Sequence, residues 1–227
     1  MKIDTFNYVM LQSKNKKLFT FVNPYSYGIL MEKKSSFLND FNILSDGILF
    51  VTLYNFFNEN KINRYSFDFT SLAPVVFSYA SKYKLRVALV GGTENEINKA
   101  KIVINNKYPN LNIVLSHHGF IKGNVNDVIE MMKDKEIQVV ISGLGTPFQE
   151  EFLINCQKNI ESLKLGFTCG GFLTQISSNE NYFHPFFDKL NLRWLQRFLR
   201  HSYVRKRLLI DYPIFVFKYI FENAFKK

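Results

Sequence analysis

Asp46 is the first residue whose type and setting point to chemistry. It follows the run Asn42-Ile43-Leu44-Ser45 and precedes Gly47. A carboxylate at the end of such a strand can face a cleft and take a proton from a hydroxyl as general base. Asp-Gly is equally a turn signal, so this residue alone leaves both readings open. A second cluster is Gly143-Leu144-Gly145-Thr146-Pro147-Phe148-Gln149-Glu150. Glycines there let backbone amides approach a ligand, and the helix start that follows favours an anion. Gln149 can hydrogen-bond a sugar or simply sit on a helix surface. Gly91-Gly92 and Gly170-Gly171 repeat the glycine signal. Together they suggest a phosphate-bearing small molecule; taken singly, each is an ordinary tight turn.

Other chemistries lack their residues. No GxxxxGK[ST] loop occurs, and Phe148 stands where a dinucleotide fingerprint beginning at Gly143 has its third glycine. HExxH and GxSxG are absent. No two aspartates are spaced i, i+2, so the Asp-x-Asp metal–diphosphate clamp is missing. His117 and His118 are adjacent, which points them apart on a strand, and few other ligands surround them. No metal and no cofactor are therefore expected. Cys169 ends a strand as either a reactive or a small buried thiol. With Cys156 it is one of only two cysteines, which excludes a disulfide scaffold and suits a reducing cytosol.

The elements that must position these residues read as an α/β fold. Strand-like runs at 85–90, 112–116, 137–142 and 163–168 alternate with helical stretches near 94–107, 126–135 and 147–160. Thr93 and Glu96 form a capping box, and Thr146 and Pro147 fit the cap and first turn of the third helix. Earlier, 20–23 and 42–44 read as strands, and 24–39, 48–57 and 69–82 as helices. This alternation implies a Rossmann-like, mostly parallel sheet with helices on both faces and ligands beyond the strands' carboxyl ends. The rhythm breaks near residue 180, giving a body over 1–180 and a helical appendage over 181–227. Helices are expected at 187–201 and 203–223, with Pro213 perturbing the second.

Charge sharpens that division. The 227 residues carry a net charge of +10. From Leu192 to Lys227, nine basic residues face two acidic ones, so this segment holds +7 and the rest only +3. Aromatics interleave with the basic residues, which suits a polyanion: nucleic acid, an anionic membrane surface or a phosphorylated ligand. A solvated basic helix face is the plainer reading. No nucleic-acid motif is present, so no nucleic acid is expected as partner. The start, MKIDTFNYVM, is unlike a signal peptide, and no apolar run is long enough to span a bilayer. The aromatic tail fits an interfacial helix, packing on the body, or the contact of a homo-oligomer.

In order along the chain stand Val22-Asn23-Pro24, Ser45-Asp46-Gly47, Arg64, Val90-Gly91-Gly92, Lys107-Tyr108-Pro109 and His117-His118-Gly119. Gly143 to Glu150, Gly170-Gly171-Phe172, His184-Pro185 and Leu192-Arg193-Trp194 follow. From about residue 20 to 210 the chain resembles the WecG/TagA/CpsF glycosyltransferases. The strongest piece is Gly143 to Glu150, close to that family's G-x-G-x-P-x-Q-E. The resemblance implies an inverting, metal-independent transfer of a sugar, an N-acetylhexosamine or a related one. The donor would be a UDP-sugar, the acceptor a polyprenyl-diphosphate-linked saccharide, and the setting bacterial surface-polysaccharide synthesis. It implies Asp46 as catalytic base and Asn23, Arg64, Gln149 and the glycines Gly91, Gly92, Gly143, Gly145, Gly170 and Gly171 as substrate site. Arg193, Arg197, Arg200, Arg205 and Arg207 would bring charge to the acceptor diphosphate. The enzyme would be cytoplasmic, docked on the inner face of the cell membrane. Where the family has Thr two residues before the asparagine, this chain has Phe21. Where the family has G-G-x-F-D, it has Gly170-Gly171-Phe172-Leu173-Thr174. These departures suggest a branch distinct from the teichoic-acid enzymes. A non-catalytic, polyanion-binding membrane protein that uses the basic tail is the alternative.

Overall fold

A computed structural model describes residues 1–33, 38–178, 195, 198–199 and 202–224. Six strands form one sheet: β1 (Lys17–Val22), β2 (Phe41–Ser45), β3 (Val87–Gly91), β4 (Ile113–His117), β5 (Val139–Gly143) and β6 (Leu165–Thr168). Their order is β2-β1-β6-β5-β3-β4, and every pairing is parallel. The central strands β1, β6, β5 and β3 are buried along almost their whole length because helices cover both faces, with Thr20, Ser142 and Thr168 as their buried polar residues. On one face lie α1 (Pro24–Met31), α2 (Ile48–Phe57), α5 (Val125–Asp134) and α6 (Phe148–Asn159), packed over Leu18, Val22, Ala88, Val90 and Val140. On the other lie α3 (Leu72–Lys82), α4 (Glu94–Lys107) and α7 (Phe172–Ser178), packed over Phe19, Leu89, Ile141 and Phe167. The expected α/β sheet is present.

Strand boundaries move by up to three residues from the expected ones. The helix over 94–107 starts as expected: Glu96 N–H donates to Thr93 Oγ1 at 3.2 Å and Thr93 N–H to Glu96 Oε2 at 2.6 Å. Three expectations need correction. α1 ends at Met31 rather than 39, because the Glu32 and Lys33 that follow it offer no apolar side chain to hold it on the sheet. α3 starts at Leu72 rather than Phe69, because Asp68 gathers the turn: Thr70 N–H donates to its carboxylate at 2.8 Å and Ala73 N–H to its carbonyl at 3.2 Å. α6 starts at Phe148 with Pro147 as its cap, because the Thr146 hydroxyl is committed to Glu150 at 3.2 Å.

The expected helix over 187–201 lies almost wholly outside the described residues. The next one runs as α8 (Ser202–Lys206), a π-turn over Arg207–Asp211, and α9 (Tyr212–Ala224). Pro213 accounts for the interruption: it has no N–H, and its ring crowds the carbonyl of Leu209 inside the π-turn. α9 packs on α1 and α2 through aromatic rings. Phe215 lies 5.3 Å from Tyr27 and 5.8 Å from Phe50, and Tyr219 lies 6.2 Å from Phe57. Among the described residues no helix is long and apolar enough to cross a membrane.

Candidate active site

A cavity of about 1120 Å³ opens beyond the carboxyl ends of β1, β2, β5 and β6, with α9 along one side. Asn23 follows β1, Asp46 follows β2, Gly92 follows β3, Gly143 and Gly145 come from the end of β5, and Gly170 and Gly171 follow β6. All of them line it, as do Arg64 and Gln149. Gly91 stands one residue behind. A Cβ on Gly91 would meet the Gly143 carbonyl oxygen at 2.8 Å, and one on Gly143 would meet the Gly170 carbonyl oxygen at 2.9 Å. These glycines let three strand ends touch, which explains them by close packing as well as by ligand approach.

Asp46 is held by its backbone: its N–H donates to the Val22 carbonyl at 2.7 Å. The segment bearing Arg64 lies beside it through an isolated parallel bridge between Ser45 and Arg64 and a 2.7 Å bond from the Ser45 hydroxyl to the Asn63 carbonyl. Arg64 Nη2 thereby comes 3.4 Å from Asp46 Oδ1 and 3.9 Å from Asp68 Oδ2. It also donates to Ser66 Oγ at 3.1 Å, which in turn donates to Asp68 at 2.7 Å. Both partners of the Asp46–Arg64 pair are half-buried at the cavity wall. Asn23 spends its side-chain oxygen on the first turn of α1, accepting from Tyr25 and Ser26 N–H at 3.0 Å each.

Gln149 is 4% exposed and has both ends of its amide engaged. Its Nε2 donates to Thr146 Oγ1 at 3.1 Å and Glu150 Oε1 at 3.0 Å, while its Oε1 accepts from Gly170 N–H at 3.3 Å. It therefore braces the β5 turn to the β6 turn at the cavity wall. Behind it Glu150 is fully buried, and its Oε1 also accepts from Thr20 and Thr146 hydroxyls at 2.8 and 3.2 Å. Thr168 donates to Thr20 at 3.2 Å, extending the network to β6. Burial raises the Glu150 carboxyl above its ordinary range, against the lowering effect of its hydrogen bonds.

From the tail, Arg207 lines the cavity with its guanidinium carbon 3.8 Å from the centre of the Tyr25 ring. Arg205 points elsewhere, donating to the Phe198 and Leu199 carbonyls at 3.3 and 3.4 Å. Arg193, Arg197 and Arg200 lie outside the described residues. Cys169 lines the wall, and burial pushes its thiol up to about 12, so it is protonated near neutrality. His117 turns its ring to the His118 carbonyl at 2.9 Å, and neither histidine lines the cavity. Among the described residues no three His, Cys, Asp or Glu side chains stand together as a ligand set. Tyr25, Ser66, Asp68 and the buried Thr20–Glu150 pair are site features that sequence reasoning did not single out. Only Glu150 had a local signal, as the end of the glycine-rich motif.

The model of the Glycosyl transferase WecG/TagA/CpsF family matches residues 3–227. A Shigella boydii protein, UDP-Gal:alpha-D-GlcNAc-diphosphoundecaprenol beta-1,4-galactosyltransferase, is 41% identical over 210 residues, covering 91% of this chain and 87% of that one. The N-acetylglucosaminyldiphosphoundecaprenol N-acetyl-beta-D-mannosaminyltransferase of Staphylococcus aureus (strain MW2) is 29% identical over 133 residues. That match covers 59% of this chain and 51% of the relative.

Proposed function

The chain belongs to the Glycosyl transferase WecG/TagA/CpsF family, and on that premise we propose the reaction at its cavity: a UDP-sugar gives its sugar to a saccharide carried on polyprenyl diphosphate, with inversion and without a metal. The observation that carries this reading is the meeting of Asp46 and Arg64 at 3.4 Å in a cavity that the glycine turns and Arg207 also line. A carboxylate, two cationic forks and glycine turns that let a ligand come close to the backbone are the parts that such a transfer needs.

In this reading Asp46 takes the proton of the acceptor hydroxyl as that oxygen forms its bond to the anomeric carbon. The bond from that carbon to the UDP oxygen breaks, and UDP leaves with the electron pair. Arg64 and the glycine-turn amides receive the charge developing on the leaving diphosphate; a guanidinium suits this because its planar fork matches phosphate oxygens. A single displacement by one base supports inversion. The cationic side chains supply charge where a divalent ion serves other transferases. Arg207 meets the acceptor's diphosphate, aided by Arg193, Arg197 and Arg200 of the +7 tail, while Arg205, committed to the Phe198 and Leu199 carbonyls, adds only to the tail's general positive charge. The exposed Ile214, Phe217 and Phe221 beside Lys218 support peripheral docking on the inner face of the membrane. Family membership sets aside the non-catalytic alternative.

The test is a thermal-shift panel of UDP-galactose, UDP-N-acetylhexosamines and UDP, followed by transfer assays with the donor that binds. UDP-galactose leads the panel because the Shigella boydii relative is named for it. A bound donor raises apparent stability with the logarithm of its concentration. No shift with any UDP-sugar, together with no transfer, overturns the reading.

A further inference from the structure

The cavity joins two chemistries end to end. Asn23, Asp46 and Arg64 belong to its polar half. The other half runs between α2 and the tail, lined by Ile48 and Leu49 on one side and by Leu208, Pro213, Val216 and Phe217 on the other. None of these six side chains carries a charge or a hydrogen-bonding group; Thr52 of α2 and Tyr212 of the tail add two hydroxyls to an otherwise apolar wall. Ile48 is 44% and Phe217 76% exposed, so the apolar half opens to the outside. Arg207 stands at the junction, next in sequence to Leu208 and seated on the Tyr25 ring. A fixed cation at the mouth of an apolar lane matches an amphiphile whose anionic head and hydrocarbon chain are covalently joined.

Resting on the glycosyl-transfer reading, we propose that the lane between α2 and α9 takes the first isoprene units of the acceptor, with the acceptor's diphosphate at Arg207. The donor is not the occupant, because a UDP-sugar has no hydrocarbon to place there. A bilayer acyl chain is not the occupant, because the lane is continuous with the space beside Asp46, so what fills it is joined to the sugar that meets the base. The acceptor then enters from the tail side, and the donor takes the side of the Gly143 and Gly170 turns.

The experiment uses the full chain and two soluble acceptors, GlcNAc diphosphate esterified with a farnesyl or a methyl group. Both are held below self-association and free of detergent or vesicles. GlcNAc diphosphate is the head group because both named relatives use it. The expected result is a KM at least tenfold lower for the farnesyl ester, since burial of a few hydrocarbon carbons suffices for that factor. Leu49→Asn and Val216→Asn, made separately, should each shrink this ratio at least threefold, with a smaller change in donor KM. Equal KM values for the two esters in the parent protein overturn the lane and leave the transfer reading standing. A farnesyl preference undiminished in both variants places the chain elsewhere and also overturns it. Transfer to neither ester overturns the function reading, and the lane falls with it.

Discussion

The Arg64 guanidinium lies 3.4 Å from the Asp46 carboxylate, held there by the pairing of its own segment with Ser45 rather than by any nearness in sequence. The same Nη2 is 3.9 Å from Asp68, which is already engaged by the Ser66 and Thr70 hydroxyls at 2.7 and 2.5 Å. Both carboxylates line the cavity; Asp68 anchors the arginine and the loop, and Asp46 is the more exposed of the two. A diphosphate entering the site can draw Arg64 toward itself and leave Asp46 facing the acceptor hydroxyl.

Asp46→Asn should lower kcat by about a hundredfold or more, the usual range for a lost general base. The side chain is half-buried and its backbone bond to Val22 survives, so melting temperature and donor affinity should change little. Stopped-turnover assays beside a melt check both. Near-normal turnover in the variant would remove Asp46 from the chemistry.

Glu150 separates shape from charge. Glu150→Ala strands three donors, from Thr20, Thr146 and Gln149, and should cost about 1–3 kcal/mol for each one left unsatisfied. Glu150→Gln keeps an acceptor in place and should retain most stability and turnover. The pH dependence has a definite sign. Burial raises the folded carboxyl above its ordinary 4.5. The parent's stability from this group is therefore full below that value and is lost as pH rises toward the raised folded value. Melting scans across pH should show Glu150→Gln gaining on the parent as pH rises from about 4.5. A difference independent of pH would mean that Glu150 titrates as an ordinary carboxylate.

Tyr25 carries Arg207 on its ring face at 3.8 Å. Such contacts are worth about 0.5–2 kcal/mol. Tyr25→Ala should raise acceptor KM by about threefold to tenfold, on the lower part of that range, while donor KM holds. Tyr25→Phe preserves the ring and should behave like the parent. Equal loss in both variants would point to the hydroxyl instead.

How much of this was legible in the sequence depends on the range of each interaction. The βα units from β3 to β6 read clearly because apolar runs end in glycine and because Thr93 and Glu96 cap α4 within four residues. Asp46 and the Gly143 to Glu150 motif were visible for the same local reason. Tyr25 was not, since nothing near Asn23-Pro24 signals an arginine from the far end of the chain. Glu150 reads locally as a helix-surface acid in the first turn of α6; only the packing of α6 on β1 and β6 buries it. The early end of α1 is not legible locally because helix propensity continues past Met31 into Glu32 and Lys33, whose charged side chains do not hold a helix on the sheet.

The exposed face of α9 offers Phe217 at 76% and Phe221 at 69% exposure beside Lys218. The parent protein should co-sediment with vesicles containing anionic lipid and release as salt rises, since surface charge attraction is screened within a Debye length. Phe217→Ser with Phe221→Ser should weaken this binding severalfold without changing donor affinity. Equal binding to neutral vesicles at all salt concentrations would reject an anionic surface as the partner.

Phe215 tests how the tail is held. It is 6% exposed, against Tyr27 at 5.3 Å and Phe50 at 5.8 Å, with Tyr219 one turn on. Removing a buried ring costs about 3–5 kcal/mol. Among the described residues α9 packs on the body chiefly through α1 and α2, so that loss falls first on the docking of the tail. Phe215→Ala should speed limited proteolysis between residues 199 and 224 by tenfold or more, which is about 1.4 kcal/mol of docking, and should raise acceptor KM while the sheet's far-ultraviolet signal and donor affinity persist. A single cooperative melt lowered by the full amount, with no faster cleavage of the tail, would instead make α9 part of the folding unit, because the tail could then leave only when the sheet unfolds.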